Sequence, residues 1–186
     1  MKKSIMIILF FTLLLGIGVT GVFAQTIAEA TITVNDVDLF DVNTAVPVIF
    51  TVDDPAAAGE LPLITPAGGP TYLQYTVVVA ALSTKKITAS CDKAMRNGLR
   101  LDVWAGAPTG TGGVGTALAG GLSVSPSYVA TTAVDIINNI TSSATGSGTT
   151  QGPAVYYTLT FDDSTFANLE TGGADIYTIT YTLTDG

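Results

Sequence analysis

The sequence predicts an all-β fold, an antiparallel sandwich of about seven to nine strands with an immunoglobulin-like arrangement. Apolar and polar residues alternate with a period of two in several segments, and turns rich in Gly, Pro, Thr and Ser separate them. No convincing long helix is indicated, and nothing supports alternating strands and helices. A jelly roll is the alternative arrangement of such strands.

Residues 1–24 have the features of a cleavable secretory signal peptide. Lys2 and Lys3 precede an apolar stretch over residues 5–15, and the segment ends on the small residue Ala24. An uncleaved membrane anchor is the alternative, because the apolar region is just long enough to span a bilayer, although glycines interrupt it. We therefore expect an exported protein, extracellular, at the cell surface or periplasmic, with no stable membrane span after cleavage.

The composition is that of one acidic globular domain. Removing 24 of the 186 residues leaves 162, residues 25–186, which suits a single domain. The net charge of −8 becomes −10 when Lys2 and Lys3 leave, so nucleic acid is not an expected partner. Cys91 is the only cysteine, and we expect it to be a small buried residue, with a bridge between subunits as the alternative.

Five segments show the strand pattern most clearly: residues 46–52, 72–82, 99–103, 155–161 and 176–184. The segment 72–82 is more continuously apolar, which predicts a central strand covered on both faces. In the last segment the inward face is formed by Tyr177, Ile179, Tyr181 and Leu183, and in residues 155–161 by Val155, Tyr157, Leu159 and Phe161.

Three further strands are predicted from weaker patterns, at residues 28–34, at 87–91 and between 122 and 140. Within the last of these, residues 134–140 could equally form a short helix. The segments between strands are predicted to be loops inside the one domain, namely residues 53–70, 105–121 and 141–152.

The chain has no histidine, which excludes Ser-His-Asp and Cys-His catalysis and His-containing zinc sites. A hydrolase that uses two carboxylates is the remaining catalytic alternative, with Asp53-Asp54 and Asp162-Asp163 as candidate pairs. Both pairs are at strand ends next to turns, where Asp commonly bonds to the backbone. We therefore expect a protein that is not an enzyme and has no cofactor.

Three short motifs have a simpler interpretation than the function they suggest. Residues 110–115 match G-x-G-x-x-G, and Asp135 follows at a suitable distance, but no helix begins at the glycines, so a flexible loop is expected. The acidic cluster of Asp36, Asp38, Asp41 and Asn43 lacks the spacing of a calcium loop, and we expect it to be solvated. The sequence Asn139-Ile140-Thr141 is a formal glycosylation sequon, which matters only in a host that glycosylates.

The basic residues are strongly segregated. All five that remain after residue 24 lie within residues 85–100, and they are Lys85, Lys86, Lys93, Arg96 and Arg100. If Asn97-Gly98 formed a two-residue hairpin turn, Lys93 would face Asp102 across the ladder. A basic patch here could dock on the acidic surface of another copy or on an anionic glycan, and an ordinary solvated hairpin is the alternative.

The single tryptophan, Trp104, borders the predicted loop 105–121. We expect it to pack in the core, and stacking on a sugar is the alternative. The second use would fit a monomeric secreted module whose loops 105–121 and 141–152 hold a glycan or a cell-surface ligand.

The chain combines a predicted signal peptide, a domain of this size and two C-terminal strand patterns, at residues 156–161 and 177–184. In this the chain resembles bacterial pilin-like subunits, including spore-coat-U-like and chaperone–usher fimbrial families. It differs from common fimbrial subunits in lacking a cysteine pair and in ending with Asp185-Gly186 after the last strand. The resemblance implies a structural subunit of a fimbria-like filament whose partners are other copies of itself or related subunits.

The same resemblance implies donor-strand complementation, in which an N-terminal extension fills a groove in the next subunit. The matching segment is residues 25–34, and the side chains on its apolar face are Ala28, Ala30, Ile32 and Val34. The alternative is that this segment is the first strand of the domain itself.

Overall fold

The structure is a computed structural model that describes residues 32–43, 47–130 and 132–186. The predicted signal peptide, and the predicted strand at residues 28–34 up to Thr31, lie outside the described residues. Residues Val34–Gly186 form one compact unit. The described part contains eleven strands and one short 3-10 helix, Phe166–Asn168, so the fold is all-β as predicted.

The strands follow one another along the whole described chain. In order they are β1 (Val37–Asn43), β2 (Ile49–Asp53), β3 (Leu63–Ala67), β4 (Thr71–Val78), β5 (Lys85–Cys91), β6 (Leu99–Ala105), β7 (Thr111–Ala117), β8 (Leu122–Val124), β9 (Val134–Ala144), β10 (Ala154–Phe161) and β11 (Ile179–Asp185).

Nine of these strands form one antiparallel sheet. Its order is β11-β5-β9-β4-β10-β6-β8, with β1 paired to β4 and β7 paired to β9, whereas β2 and β3 form a separate hairpin. One strand joins the two arms of the sheet, because Thr71 and Tyr72 at the start of β4 pair with β10, and Thr76 and Val77 pair with β9.

The apolar core lies where strands of both arms meet. On β4, Leu73, Tyr75 and Val77 are buried in alternation, as the period of a strand requires. Strand β8 contacts both β5 and β9 without pairing with either. Tyr157 on β10 hydrogen-bonds to Tyr181 on β11, so side chains also connect strands that share no backbone pairing.

The described residues before Thr71 lie outside this core. None of them is buried, and β1 contributes only partly buried side chains such as Phe40. The hairpin of β2 and β3 likewise packs mainly through Phe50. The buried core is therefore built from residue 71 onward.

The strands predicted with the clearest alternation are all present, within a few residues. Strand β4 ends earlier than predicted, at Val78, and its second face is half-buried. Residues 134–140 are part of strand β9, so the helical alternative is wrong. The residues that follow Thr31 in the predicted strand 28–34, Ile32 to Val34, belong to no strand.

Two of the three predicted loops were wrong, and the third was too long. Residues 53–70 contain β3, residues 105–121 contain β7, and β9 runs on to Ala144. Strand β7 is rich in glycine because it lies close to β9: a Cβ at Gly113 would clash with the side chain of Thr141, and one at Gly115 would meet the carbonyl oxygen of Asn138. A glycine-rich strand has no alternation to detect.

Candidate functional site

An exposed aromatic pair is the most distinctive surface feature of the domain. Trp104 on β6 lies directly opposite Tyr156 on β10, with ring centroids 5.9 Å apart and ring planes inclined by 28°. Trp104 is 37% exposed and Tyr156 is 44% exposed. The expectation that Trp104 packs in the core is therefore wrong.

Strand alternation explains why both rings face outward. On β6, Leu101, Val103 and Ala105 are buried, so the residues between them, including Trp104, belong to the opposite face. On β10, Val155 is buried, which places its neighbour Tyr156 on the outer face. Antiparallel pairing then brings the two aromatic side chains together.

A row of polar side chains crosses the same outer face next to the aromatic pair. Asp102 lies opposite Thr158 on β10 and opposite Ser123 on β8. Arg100 Nε donates a hydrogen bond to Asp102 Oδ2 at 3.1 Å, so these two charges compensate each other. The aromatic pair and this polar row together form an outer surface that we call the aromatic face. Its six side chains are Arg100, Asp102, Trp104, Ser123, Tyr156 and Thr158.

Both rings of the aromatic pair are partly exposed, and the backbone of Gly106 lies beside the ring of Tyr156. Gly106 has an ordinary backbone conformation, yet a Cβ there would lie 3.2 Å from the ring of Tyr156. Tyr156 also borders a shallow cleft of about 170 Å³, which Tyr157 lines as well. The remaining walls of the cleft come from the β2–β3 hairpin and the residues beside it, including Phe50 and Pro66.

The basic residues are not a free positive patch, because each forms an ion pair within the chain. Lys85 Nζ lies 2.7 Å from both Asp38 and Asp185, and Lys86 lies 3.3 Å from Asp135. The remaining pairs are Lys93–Asp175 at 3.7 Å, Arg96–Asp175 at 2.7 Å and Arg100–Asp102 at 3.1 Å. The segregation of charge in the sequence is thus largely cancelled in space.

The proposed hairpin at Asn97-Gly98 does not form. Strand β5 ends at Cys91 and pairs with β9 and β11, whereas β6 pairs with β8 and β10. Lys93 therefore does not face Asp102. Its Nζ lies 4.6 Å from the centre of the Tyr177 ring, in a cation–π contact, and near Asp175.

Arg96 forms hydrogen bonds with the segment that precedes the last strand. Its guanidinium donates to Asp175 Oδ2 from Nε at 2.9 Å and to the carbonyl oxygen of Gly173 at 3.0 Å. Its backbone N–H donates to the hydroxyl of Tyr177 at 3.1 Å. Beside it, the N–H of Thr178 donates to Asp92 and lowers the pKa of that carboxyl.

Cys91 is 1% exposed, which confirms the expectation of a buried residue. Burial raises the pKa of its thiol, so the reactive thiolate is disfavoured. Neither observation suits a bridge between subunits.

The apolar residues assigned to a donor strand are only partly described. Ala28 and Ala30 lie outside the described residues. Ile32 and Val34 are 84% and 75% exposed.

All three short motifs lie within the described residues. Residues 110–115 lead into and form part of strand β7, so the expected flexible loop is wrong, although no helix begins there. Asn139 is exposed, on a strand.

In residues 32–43, 47–130 and 132–186, no group of three or more Cys, Asp or Glu side chains is placed to hold a metal ion. The same described ranges contain no helix long and apolar enough to cross a membrane.

Comparison with protein-family models, curated proteins and solved structures finds no match to this chain. The partner of Trp104 is what sequence reasoning missed: the alternation places Tyr156 outward, but only the pairing of β10 with β6 brings it beside Trp104.

Proposed function

We propose that the protein is an exported, non-catalytic structural subunit of an extracellular, fimbria-like assembly, built on an immunoglobulin-like β-sandwich. One observation carries this proposal. Of the thirteen large apolar side chains that are exposed in the described chain, eight lie between residues 32 and 63, and they are Ile32, Val34, Leu39, Val42, Ile49, Val52, Leu61 and Leu63.

Such a concentration of exposed apolar surface is typical of an interface. Monomeric proteins usually expose large apolar residues singly, whereas clustered ones mark surfaces that become covered by a partner. Here they are concentrated in the part of the chain that contributes no buried side chain. The N-terminal segment and β1–β3 would therefore complete their burial only in contact with another molecule.

A second copy of the chain is the partner that the N-terminal segment suits best. After cleavage behind Ala24, residues 25–34 would begin the subunit, with apolar residues at every second position from Ala28 to Val34. An extended segment of this kind can add a strand to a sheet edge of a neighbour through backbone hydrogen bonds and insert alternate side chains. The ion pairs of the basic residues argue against charge as the main force of assembly.

The experiment compares residues 25–186 with a variant in which Ile32 and Val34 are both replaced by Ser. Sedimentation and electron microscopy would measure the size of the assemblies. We expect oligomers or filaments from the unchanged protein and monomers from the variant, because the inserted apolar contacts are lost. The matched control replaces Thr31 and Thr33 by Ser, on the opposite side of the segment, and should still assemble.

A monomeric wild-type protein at high concentration would contradict the proposal. Assembly could instead survive the Ile32→Ser, Val34→Ser change and fail when Ile49 and Leu63 become Thr. That result would place the interface on the β2–β3 hairpin and not on the N-terminal segment. In that case donor-strand complementation is wrong and the structural role remains.

A further inference from the structure

The aromatic face has a chemistry that the structural role does not use. We propose that it is a binding site for a neutral polysaccharide, with Trp104 and Tyr156 as the platform on which sugar rings stack. The site lies on the outer surface of β10, β6 and β8, and none of its six side chains belongs to the apolar cluster between residues 32 and 63.

The aromatic pair matches the apolar face of a sugar ring. A pyranose ring carries C–H bonds on its faces, and the faces of Trp and Tyr rings are electron-rich, so the two surfaces attract each other when stacked. The two rings here are stacked with their planes inclined by 28°, and both side chains remain exposed to a ligand. Both side chains have few rotatable bonds, so ordering them on a ligand costs little conformational entropy.

The polar row matches the rim of the same sugar ring. Asp102 and Arg100 offer charged acceptor and donor groups, and Thr158 and Ser123 offer hydroxyls, which complement the hydroxyls of a sugar. Positions two residues apart on a strand are separated by about 6.6 Å, so the polar row lies within reach of a ring stacked on the aromatic pair. A binding site needs this combination of apolar contact and a few oriented polar groups.

The charge of the face selects a neutral ligand over an anionic one. Arg100 and Asp102 compensate each other at 3.1 Å. The whole chain has a net charge of −8, so an anionic polymer would be repelled at long range. A neutral glycan avoids this repulsion.

The aromatic pair is unusual among the exposed apolar residues that follow the N-terminal cluster. Leu82, Val129 and Ile176 are exposed far apart along the chain, and single exposed residues of this kind need no explanation. Trp104 and Tyr156, by contrast, are direct cross-strand neighbours and together form one exposed apolar surface. The adjoining cleft of about 170 Å³ extends the surface beyond Tyr156, which suits a ligand of several linked rings.

The single tryptophan provides a direct measurement, because its fluorescence reports on this face alone. Purified residues 25–186 would be titrated with hexasaccharides of β-glucose, β-mannose and N-acetylglucosamine units, and with heparin as the anionic probe. We expect a saturable change in emission with at least one neutral hexasaccharide and none with heparin.

Variants of Tyr156 test the role of the platform. We expect Tyr156→Ala to weaken binding at least ten-fold and Tyr156→Phe, which keeps the ring, to weaken it less than three-fold. Calorimetry would measure the corresponding loss for Trp104→Ala, which removes the fluorophore. Ile176→Ala is the matched control, since it truncates an exposed apolar residue outside the aromatic face and should leave the affinity unchanged.

Three results would overturn the proposal: no response to any neutral hexasaccharide, a response to heparin only, or binding that Tyr156→Ala and Trp104→Ala leave intact. Thermal unfolding of each variant separates a lost ligand contact from a lost fold. The outcome is independent of assembly, because the variants that abolish assembly, Ile32→Ser and Val34→Ser, should bind the glycan as the unchanged protein does.

Discussion

The phenol oxygens of Tyr157 and Tyr181 lie 2.7 Å apart and connect β10 to β11, two strands that share no backbone pairing. Tyr157 also donates to Thr71 Oγ1 on β4 at 2.9 Å. Three separate strands are therefore joined by two hydrogen bonds in a partly buried position, where a protein hydrogen bond is worth more than at the surface.

Removing one hydroxyl of this pair should destabilise the domain measurably. We expect Tyr181→Phe to lower the free energy of unfolding by about 1 kcal/mol, because a partly buried hydrogen bond is lost while the ring still packs. Urea unfolding followed by circular dichroism measures the change. The control is Tyr156→Phe, at an exposed ring, with an expected change within about 0.5 kcal/mol. Equal effects of the two variants would contradict the structural role of the pair.

Buried tyrosines should make the domain sensitive to alkaline pH. Burial raises the pKa values of Tyr75 and Tyr181 above the ordinary value of 10.0, so the folded state keeps both protons while the unfolded state releases them. Stability is therefore unaffected by these groups below about pH 10 and falls above it, by up to about 1.4 kcal/mol per pH unit for each group. Urea unfolding between pH 8 and pH 11 checks this.

Two variants separate the tyrosine contribution from other alkaline effects. Tyr75→Phe and Tyr181→Phe should each reduce the loss of stability above pH 10, although both are less stable at neutral pH. Lys85 also contributes to the loss of stability at alkaline pH, because hydrogen bonds to Asp185 and Asp38 raise the pKa of its ammonium group in the folded state. An unchanged pH profile in the double tyrosine variant would show that the tyrosines are not the cause.

The ion pairs of Lys85 should hold the C-terminal end of β11. Lys85→Gln removes the contacts to Asp38 on β1 and Asp185 on β11, so we expect a lower melting temperature and faster amide exchange in the last residues of β11. The difference from the unchanged protein should shrink in 1 M salt, because salt screens surface charges. Lys93→Gln, at a longer contact of 3.7 Å, should change less, and the reverse order would refute the assignment.

Arg96 should protect the segment between residues 170 and 175 from proteolysis. Arg96→Lys keeps the charge but loses the two-pronged contact with Asp175 and Gly173, because an ammonium group cannot reproduce the guanidinium geometry. We expect cleavage in this segment to become several-fold faster in limited proteolysis while the melting temperature changes little. Identical cleavage rates for the two proteins would show that other contacts hold the segment.

The thiol of Cys91 should be unreactive in the folded protein. Burial raises its pKa and excludes reagents, so we expect no labelling by a thiol reagent under native conditions and full labelling in urea. Gel electrophoresis without reductant should show no disulfide-linked dimer. Rapid native labelling would mean that β5 opens locally.

How well the sequence predicted each strand depended on burial. The segments around Val103 and Ile179 alternate because one face packs on the core and the other meets solvent. Strand β3 was missed because it has little buried surface, and β7 because glycines replace the side chains that would alternate. Alternation of apolar and polar residues can only report strands whose two faces differ.

The outward position of Trp104 follows from the alternation of β6 itself. Its neighbours Leu101 and Val103 occupy the inward positions of β6, so the same alternation that predicted the strand also places Trp104 outside. The general tendency of tryptophan to be buried was the weaker argument.

From the sequence alone follow the all-β class, the inward faces of the strongest strands, the absence of histidine chemistry and the acidic charge, because each depends only on local pattern or composition. The tertiary structure decides which residues meet: Lys85 with Asp38 and Asp185, and Trp104 with Tyr156. These contacts join residues far apart in the chain, and antiparallel strands select their neighbours and register through mutual packing, which no local stretch of sequence encodes.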